Sequence, residues 1–103
     1  MTDNRRSATR HDVSLDVTYQ YEGETHQSEL RNLSLGGGLI AREGRVPMGA
    51  RVQVSFRVPN APDTIEVGGA VRWSTPDGFG VQFDGLRAKE VWSLNKYFES
   101  LES

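Results

Sequence analysis

The stretch that decides the fold reads Asn32-Leu33-Ser34-Leu35-Gly36-Gly37-Gly38. Asparagine and serine carry short side chains that hydrogen-bond to nearby backbone or to a polar ligand. Glycine has no Cβ, so three glycines in succession allow another group to approach the main chain closely. Taken alone, this stretch favours a tight turn between two strands. The alternative is an anion-binding concavity made of exposed backbone N–H groups.

The composition indicates one small globular domain without disulfides. A chain of 103 residues, 25% charged and 36% hydrophobic, is long enough for one compact core. Because the formal net charge is −2, binding to a nucleic acid polymer is disfavoured, since such proteins are usually basic. The chain has no cysteine, which excludes a disulfide framework and thiolate metal sites.

The N-terminus predicts the cellular compartment. Residues 2–6 are polar or charged, and no apolar segment follows them. The pattern of a secretory signal is therefore absent. No apolar run is long enough to span a bilayer. We therefore expect a cytoplasmic protein without membrane insertion.

Alternating apolar residues predict six strands. The clearest case is 13–21, where valine, leucine and tyrosine alternate with polar residues, as in a strand with one buried face. A turn at 22–24 leads into a return strand. The remaining strands are predicted at 39–41, 51–58, 65–73 and 79–83. Gly68-Gly69 suggests a bulge or a sharp bend within the fifth strand.

The period changes after the sixth strand. Apolar residues then recur at helical spacing and predict an amphipathic helix over 86–101, with Asp84 as a possible N-cap. We expect Trp73 and Trp92 to lie in the core. Trp92 and Tyr97 need not both be buried, however, so the helix could also carry a partner surface.

These elements predict an all-β fold, a six-stranded antiparallel β-barrel with a C-terminal α-helix. Residues 1–11 are expected to form a flexible tail, and residues 12–103 a single domain. The tail carries Arg5, Arg6 and Arg10. It is either a solvated arm or a cationic arm that awaits an anion, because guanidinium bonds phosphate and stacks on rings.

Residues with catalytic or metal-binding spacing are not recognisable. His11 and His26 have no ligand-spaced partners. The glycine run is not followed by Lys-Ser or Lys-Thr, so it is not a Walker loop, and Ser34 lacks an identifiable base. The sequence favours a binding module over an enzyme. Its expected ligand is anionic, compact and partly aromatic.

Two short motifs resemble those of a known family. Arg6 and Arg10 form an Arg-x-x-x-Arg pair preceded by Arg5, and 32–37 reads Asn-x-Ser-x-x-Gly. Together with Val71-Arg72-Trp73 and Gly80-Val81-Gln82-Phe83, which precedes the helix, this order resembles the PilZ domain family over nearly the whole chain. The resemblance implies a bacterial receptor for cyclic di-GMP, with no metal and no other cofactor.

The resemblance also implies roles for individual residues. Arg6 and Arg10 would wrap the ligand from the tail and contact its phosphates and guanines. Arg5 would add a further guanidinium. The second motif would contact guanine and phosphate from the barrel through Asn32, Ser34 and Gly37. Binding would order the tail and thereby control a partner protein, for example in motility machinery.

Two other functions stay open on the sequence. The first is a protein-interaction adaptor that uses the barrel and the helix without any nucleotide. The second is single-stranded nucleic-acid binding on a small barrel, against which the acidic charge balance speaks.

Overall fold

The computed structural model of the chain describes residues 10–42, 44–59, 61 and 63–102. The predicted fold class is confirmed. Six strands and one helix follow in the order β1 (His11–Tyr21), β2 (Glu24–Leu33), β3 (Gly37–Ala41), β4 (Arg51–Phe56), β5 (Ile65–Thr75), β6 (Gly78–Phe83) and α1 (Ala88–Glu102). The helix therefore begins two residues later than the sequence pattern predicted. Of the predicted tail, residues 1–9 lie outside the described residues, and His11 already belongs to β1.

The strands form a closed barrel in the order β1-β2-β3-β6-β5-β4, and all neighbouring strands are antiparallel. Closure occurs between β1 and β4, where Val17 pairs with Phe56 and Gln20 pairs with Gln53. This pairing satisfies backbone groups that the edges of an open sheet would leave exposed. No helix in the described part of the chain has the length and apolar character needed to cross a bilayer.

The barrel interior is filled by the apolar residues that alternate along each strand. Leu30, Val54 and Phe79 have at most 1% of their surface exposed. Leu94 and Phe98 of α1 are also buried in this core, so the helix packs its apolar face on the barrel. Because side chains occupy the interior of so small a barrel, any ligand of appreciable size binds on the outside.

Three strands carry register irregularities. They lie between Asp12 and Leu15 in β1, between Leu30 and Asn32 in β2, and between Val71 and Trp73 in β5. The bulge suggested at Gly68-Gly69 is wrong, since both residues pair in regular register with β4. Glycine is required at position 69 for another reason. A Cβ on Gly69 would lie 2.7 Å from the carbonyl oxygen of Gln82.

The bulge in β5 overturns the expectation that both tryptophans lie in the core. An extra residue between Val71 and Trp73 breaks the alternation, so the indole of Trp73 turns outward and is 36% exposed. Trp92 is 64% exposed on α1. The apolar pattern of the chain is thus correct for the aliphatic residues and wrong for these two rings.

The start of α1 differs from the predicted N-cap. Asp84 instead accepts hydrogen bonds from the guanidinium of Arg51. Glu90 takes over the capping role, because its Oε1 accepts a 2.9 Å bond from the backbone N–H of Arg87. Its Oε2 accepts a second 2.9 Å bond from the Arg87 guanidinium. These bonds to Arg87 lower the pKa of the Glu90 carboxyl.

This cap predicts an acid-sensitive contribution to stability. Because the folded state lowers the pKa of Glu90, the contribution is present above the usual carboxyl range and is lost as pH falls through the folded-state value. Glutamine keeps an oxygen that can accept the Arg87 N–H but loses the charge, so we expect Glu90→Gln to cost about 0.5 kcal/mol at neutral pH and to flatten the pH profile. Urea unfolding between pH 7 and pH 3 measures both effects. Glu99→Gln, on the exposed face of the same helix, is the control, and identical profiles for wild type and Glu90→Gln would contradict the prediction.

Candidate functional site

A cleft of about 360 Å³ opens on the outer face of the barrel, beside the turn between β2 and β3. This volume lies within the range of small-molecule sites. Both motifs of the sequence contribute to its wall. The described residues that line it are Arg10, Asn32, Ser34, Gly36, Gly37, Gly38, Arg72, Trp73, Gly80, Val81 and Gln82.

The floor of the cleft is a turn that Ser34 holds together. Its backbone N–H donates to the carbonyl of Gly37 at 2.8 Å. Its hydroxyl accepts from the N–H of Gly36 at 3.1 Å and donates to the Gly37 carbonyl at 3.3 Å. Only 5% of Ser34 is exposed. The motif serine therefore fixes the shape of the turn.

The structure gives different reasons for the three glycines of the turn. A Cβ on Gly37 would lie 2.0 Å from the carbonyl oxygen of Val81, and one on Gly38 would lie 2.8 Å from the carbonyl oxygen of Asn32. These two glycines permit neighbouring strands to approach. Only Gly36 leaves space, since its Cβ would meet the Ser34 hydroxyl at an ordinary 3.9 Å. Access for a foreign group, which the sequence suggested for all three, thus falls on Gly36.

A pair of alanine variants separates these causes. Gly37→Ala places a methyl group against a backbone carbonyl that cannot move without breaking the β3–β6 pairing, so we expect a loss of at least about 2 kcal/mol of stability. Gly36→Ala meets no such obstacle and should unfold within about 0.5 kcal/mol of wild type. Thermal and urea unfolding of the two variants measure the difference. Equal stability of both variants would refute the assignment.

Arg10 and Asn32 complete the part of the site that the motifs predicted. Asn32 is half-buried and pairs with Asp12 on one side and with Leu39 on the other. Arg10 is exposed and immediately precedes β1. The structure therefore brings four predicted residues to one cleft. The other two, Arg5 and Arg6, lie outside the described residues.

The sequence pattern did not predict that Arg72 and Trp73 line the cleft. Arg72 and Trp73 follow the irregularity in β5, and both are exposed. The indole of Trp73 lies over Gly80, where a Cβ would be only 2.3 Å from the ring atom Cε2. The sequence contained this pair within Val71-Arg72-Trp73, but alternation alone assigned the tryptophan to the interior. Only the bulge reveals that it faces the cleft.

The cleft is cationic although the whole chain is acidic. Among the described residues that line it, two are arginines, Arg10 and Arg72, and none is an aspartate or a glutamate. Within residues 10–42, 44–59, 61 and 63–102, neither guanidinium forms an ion pair. Unpaired guanidinium groups beside an exposed indole are suited to a ligand that combines negative charge with a flat ring.

The described side chains offer little chemistry beyond binding. Among them, no group of three or more histidines, aspartates and glutamates is arranged to hold a metal ion. The Ser34 hydroxyl is engaged within its own turn. The arrangement thus provides charge, stacking area and backbone polarity.

Comparisons with known proteins identify the class to which this fold and cleft belong. The PilZ domain family matches residues 4–100, so the chain belongs to that family. The comparison with curated proteins gives no match.

Two solved structures share the fold. The inhibitor of motility MotI/DgrA of Bacillus subtilis superposes with a TM-score of 0.83 at 22% identity, over 95% of this chain and 51% of that one. The PlzA protein of Borreliella burgdorferi, solved in complex with c-di-GMP, superposes with a TM-score of 0.60 at 18% identity, over 95% and 38%. This chain therefore spans about half of MotI/DgrA and less of PlzA. At these identities the likeness concerns the fold.

Proposed function

We propose that this protein is a non-enzymatic bacterial receptor for cyclic di-GMP that acts in the cytoplasm. One observation carries the proposal: Arg10, Asn32, Ser34 and Gly37, which come from two separate motifs, line a single cationic cleft. Cyclic di-GMP presents two phosphates and two purine faces. Membership of the PilZ family and the PlzA complex support this choice of ligand.

The contacts in the proposed complex follow from the chemistry of each wall. Arg10 would bond phosphate or the O6 and N7 atoms of guanine, and a bidentate contact to guanine is worth about 1–3 kcal/mol of discrimination. Arg72 supplies a second positive charge. Trp73 offers a ring face on which a purine can stack, a contact worth about 1–3 kcal/mol per base in single-strand binders. Asn32 adds polar recognition, while Ser34 and Gly37 shape the backbone beneath the ligand.

The N-terminal arginines extend this proposal. Arg5 and Arg6 precede Arg10 by only a few residues, so they are within reach of a ligand held in the cleft. We propose that ligand binding orders the N-terminal residues that precede β1 over the cleft. The resulting change would control a partner protein, in motility or a related process. The MotI/DgrA likeness supports the choice of process.

A second candidate function rests on α1. Trp92 is exposed, and with Tyr97, Lys96 and Ala61 it borders a second cleft of about 260 Å³. Lys96 lies 5.8 Å from the centre of the Trp92 ring. An adaptor that binds its partner here would need no nucleotide. Its partner binding would survive Arg6→Ala and Arg10→Ala but not Trp92→Ala, whereas control by cyclic di-GMP would be lost in Arg6→Ala and Arg10→Ala.

Calorimetry with purified protein tests the receptor function directly. We expect wild type to bind cyclic di-GMP with micromolar or tighter affinity. Arg10→Ala and Arg6→Ala should each weaken binding about ten-fold or more, because each loses one guanidinium contact. Arg57→Ala is the matched control, since Arg57 is exposed and does not line the cleft. Folded wild-type protein that gives no heat at micromolar ligand would refute the proposal.

The fluorescence of Trp73 tests the predicted wall of the site. In a Trp92→Phe variant, Trp73 is the only remaining tryptophan, because the chain has two. We expect cyclic di-GMP to change its emission in a saturable manner, since a stacked purine alters the surroundings of the ring. Trp73→Phe, which keeps Trp92, should show little change. A response carried by Trp92 instead would place the ligand elsewhere.

A further inference from the structure

The first residues of β1 are attached to the barrel on one side only. His11 pairs with Leu33 and Asp12 pairs with Asn32, both on β2. The pairing with β4 on the other side is confined to Val17–Gln20 of β1 in the described structure. A register irregularity between Asp12 and Leu15 further separates this end from the regular part of the strand. Strand ends with a single partner open locally at low cost in free energy.

A ring contact from the helix also holds this end of β1. The imidazole of His11 stacks on the ring of Phe98, with centroids 4.1 Å apart and planes inclined by 15°. Phe98 is only 6% exposed and belongs to the buried face of α1, so packing restricts the movement of its ring. The stack therefore ties the beginning of β1 to the helix.

His11 is the neighbour of Arg10, and this adjacency gives the stack a functional consequence. Successive Cα atoms are about 3.8 Å apart, so holding residue 11 confines the backbone of residue 10. Arg10 lines the cleft, whereas His11 does not. We propose that His11 is a positioning residue: its stack on Phe98 holds Arg10 at the rim of the cleft, ready for the ligand. This inference rests on the proposed receptor function.

Loss of the stack has a definite expected effect. Without it, His11 separates more readily from its partner Leu33 in β2, and the ligand must order residues 10–11 again when it binds, at the cost in entropy that fixing backbone carries. Aromatic pairs have energies that correspond to a change in affinity of about two- to ten-fold. We therefore expect His11→Ala to weaken cyclic di-GMP binding by about that factor, although the side chain does not line the cleft.

The experiment compares four proteins by calorimetry with cyclic di-GMP, and by thermal unfolding. They are wild type, His11→Ala, His11→Phe and His26→Ala. His11→Phe keeps a ring that can stack on Phe98 and should restore wild-type affinity, which a loss of general stability would not explain. His26→Ala is the matched control. It removes the chain's other histidine, whose ring stacks on Tyr19 at 5.0 Å and does not line the cleft, so its affinity should equal that of wild type.

The outcomes distinguish the inference from the function on which it rests. Wild-type protein without binding would overturn the receptor function and this inference with it. Wild-type binding with an unchanged affinity of His11→Ala would overturn only the positioning role. Weaker binding of His11→Ala that His11→Phe does not restore would also overturn it, because the imidazole itself would then be required. Weaker binding restored by phenylalanine supports the stack.

Discussion

The close approach of β3 to β6 at Gly37 is the constraint on which the rest of the site depends. The backbone of Gly37 pairs with Gln82 so closely that a Cβ would lie 2.0 Å from the Val81 carbonyl oxygen. This approach brings the turn 34–37 against β6, where the N–H of Phe83 donates to the Gly36 carbonyl at 2.8 Å. Residues 36 and 37 of the turn are thereby fixed against β6. The floor of the cleft, on the outside of the barrel, therefore has a defined shape.

The position of the cleft follows from the size of the barrel. Six strands enclose only enough space for their own side chains, and the described core is closely filled, with Leu30, Leu33 and Val54 showing no exposed surface. Recognition must therefore use the outer face. There the bulges provide what a regular strand would not, because an extra residue changes which side chains point outward. Arg72 and Trp73 face the cleft for this reason.

The sequence was informative where local rules decide the structure. The alternation over 13–21 predicted β1, and the predicted turn at 22–24 lies where β1 joins β2, although Glu24 already belongs to β2. The residues Asn32, Ser34 and Gly37 were singled out by motif, and they share one cleft with Arg10. Their mechanical roles were not foreseen, since the requirement for Gly37 comes from a strand that is distant in sequence. Strand neighbours such as β3 and β6 are set by closure of the barrel.

The features that the sequence did not reveal share one physical cause. Alternation assigns each residue to a face only while the register is regular, and a single extra residue in β5 moved Trp73 from the predicted core to the cleft. The start of α1 was missed for a related reason. Asp84 was a plausible cap by residue type, but a tertiary partner, Arg51, engages it, and the cap falls to Glu90. Both errors arise where contacts between distant segments override a local pattern.

The residues at the start of β1 connect two surfaces, because Arg10 lines the cleft and the adjacent His11 contacts the helix. Arg10 lies at the cleft, His11 stacks on Phe98, and Phe98 lies 6.0 Å from the neighbouring ring of Tyr97. Tyr97 in turn borders the second cleft beside Trp92. Any ligand that holds Arg10 more firmly would also restrict the His11–Phe98 stack, because Arg10 and His11 are consecutive residues. The ring contacts from His11 through the buried Phe98 to Tyr97 thus form a continuous packed connection between the cleft and the helix face, and close packing transmits displacements along such a connection.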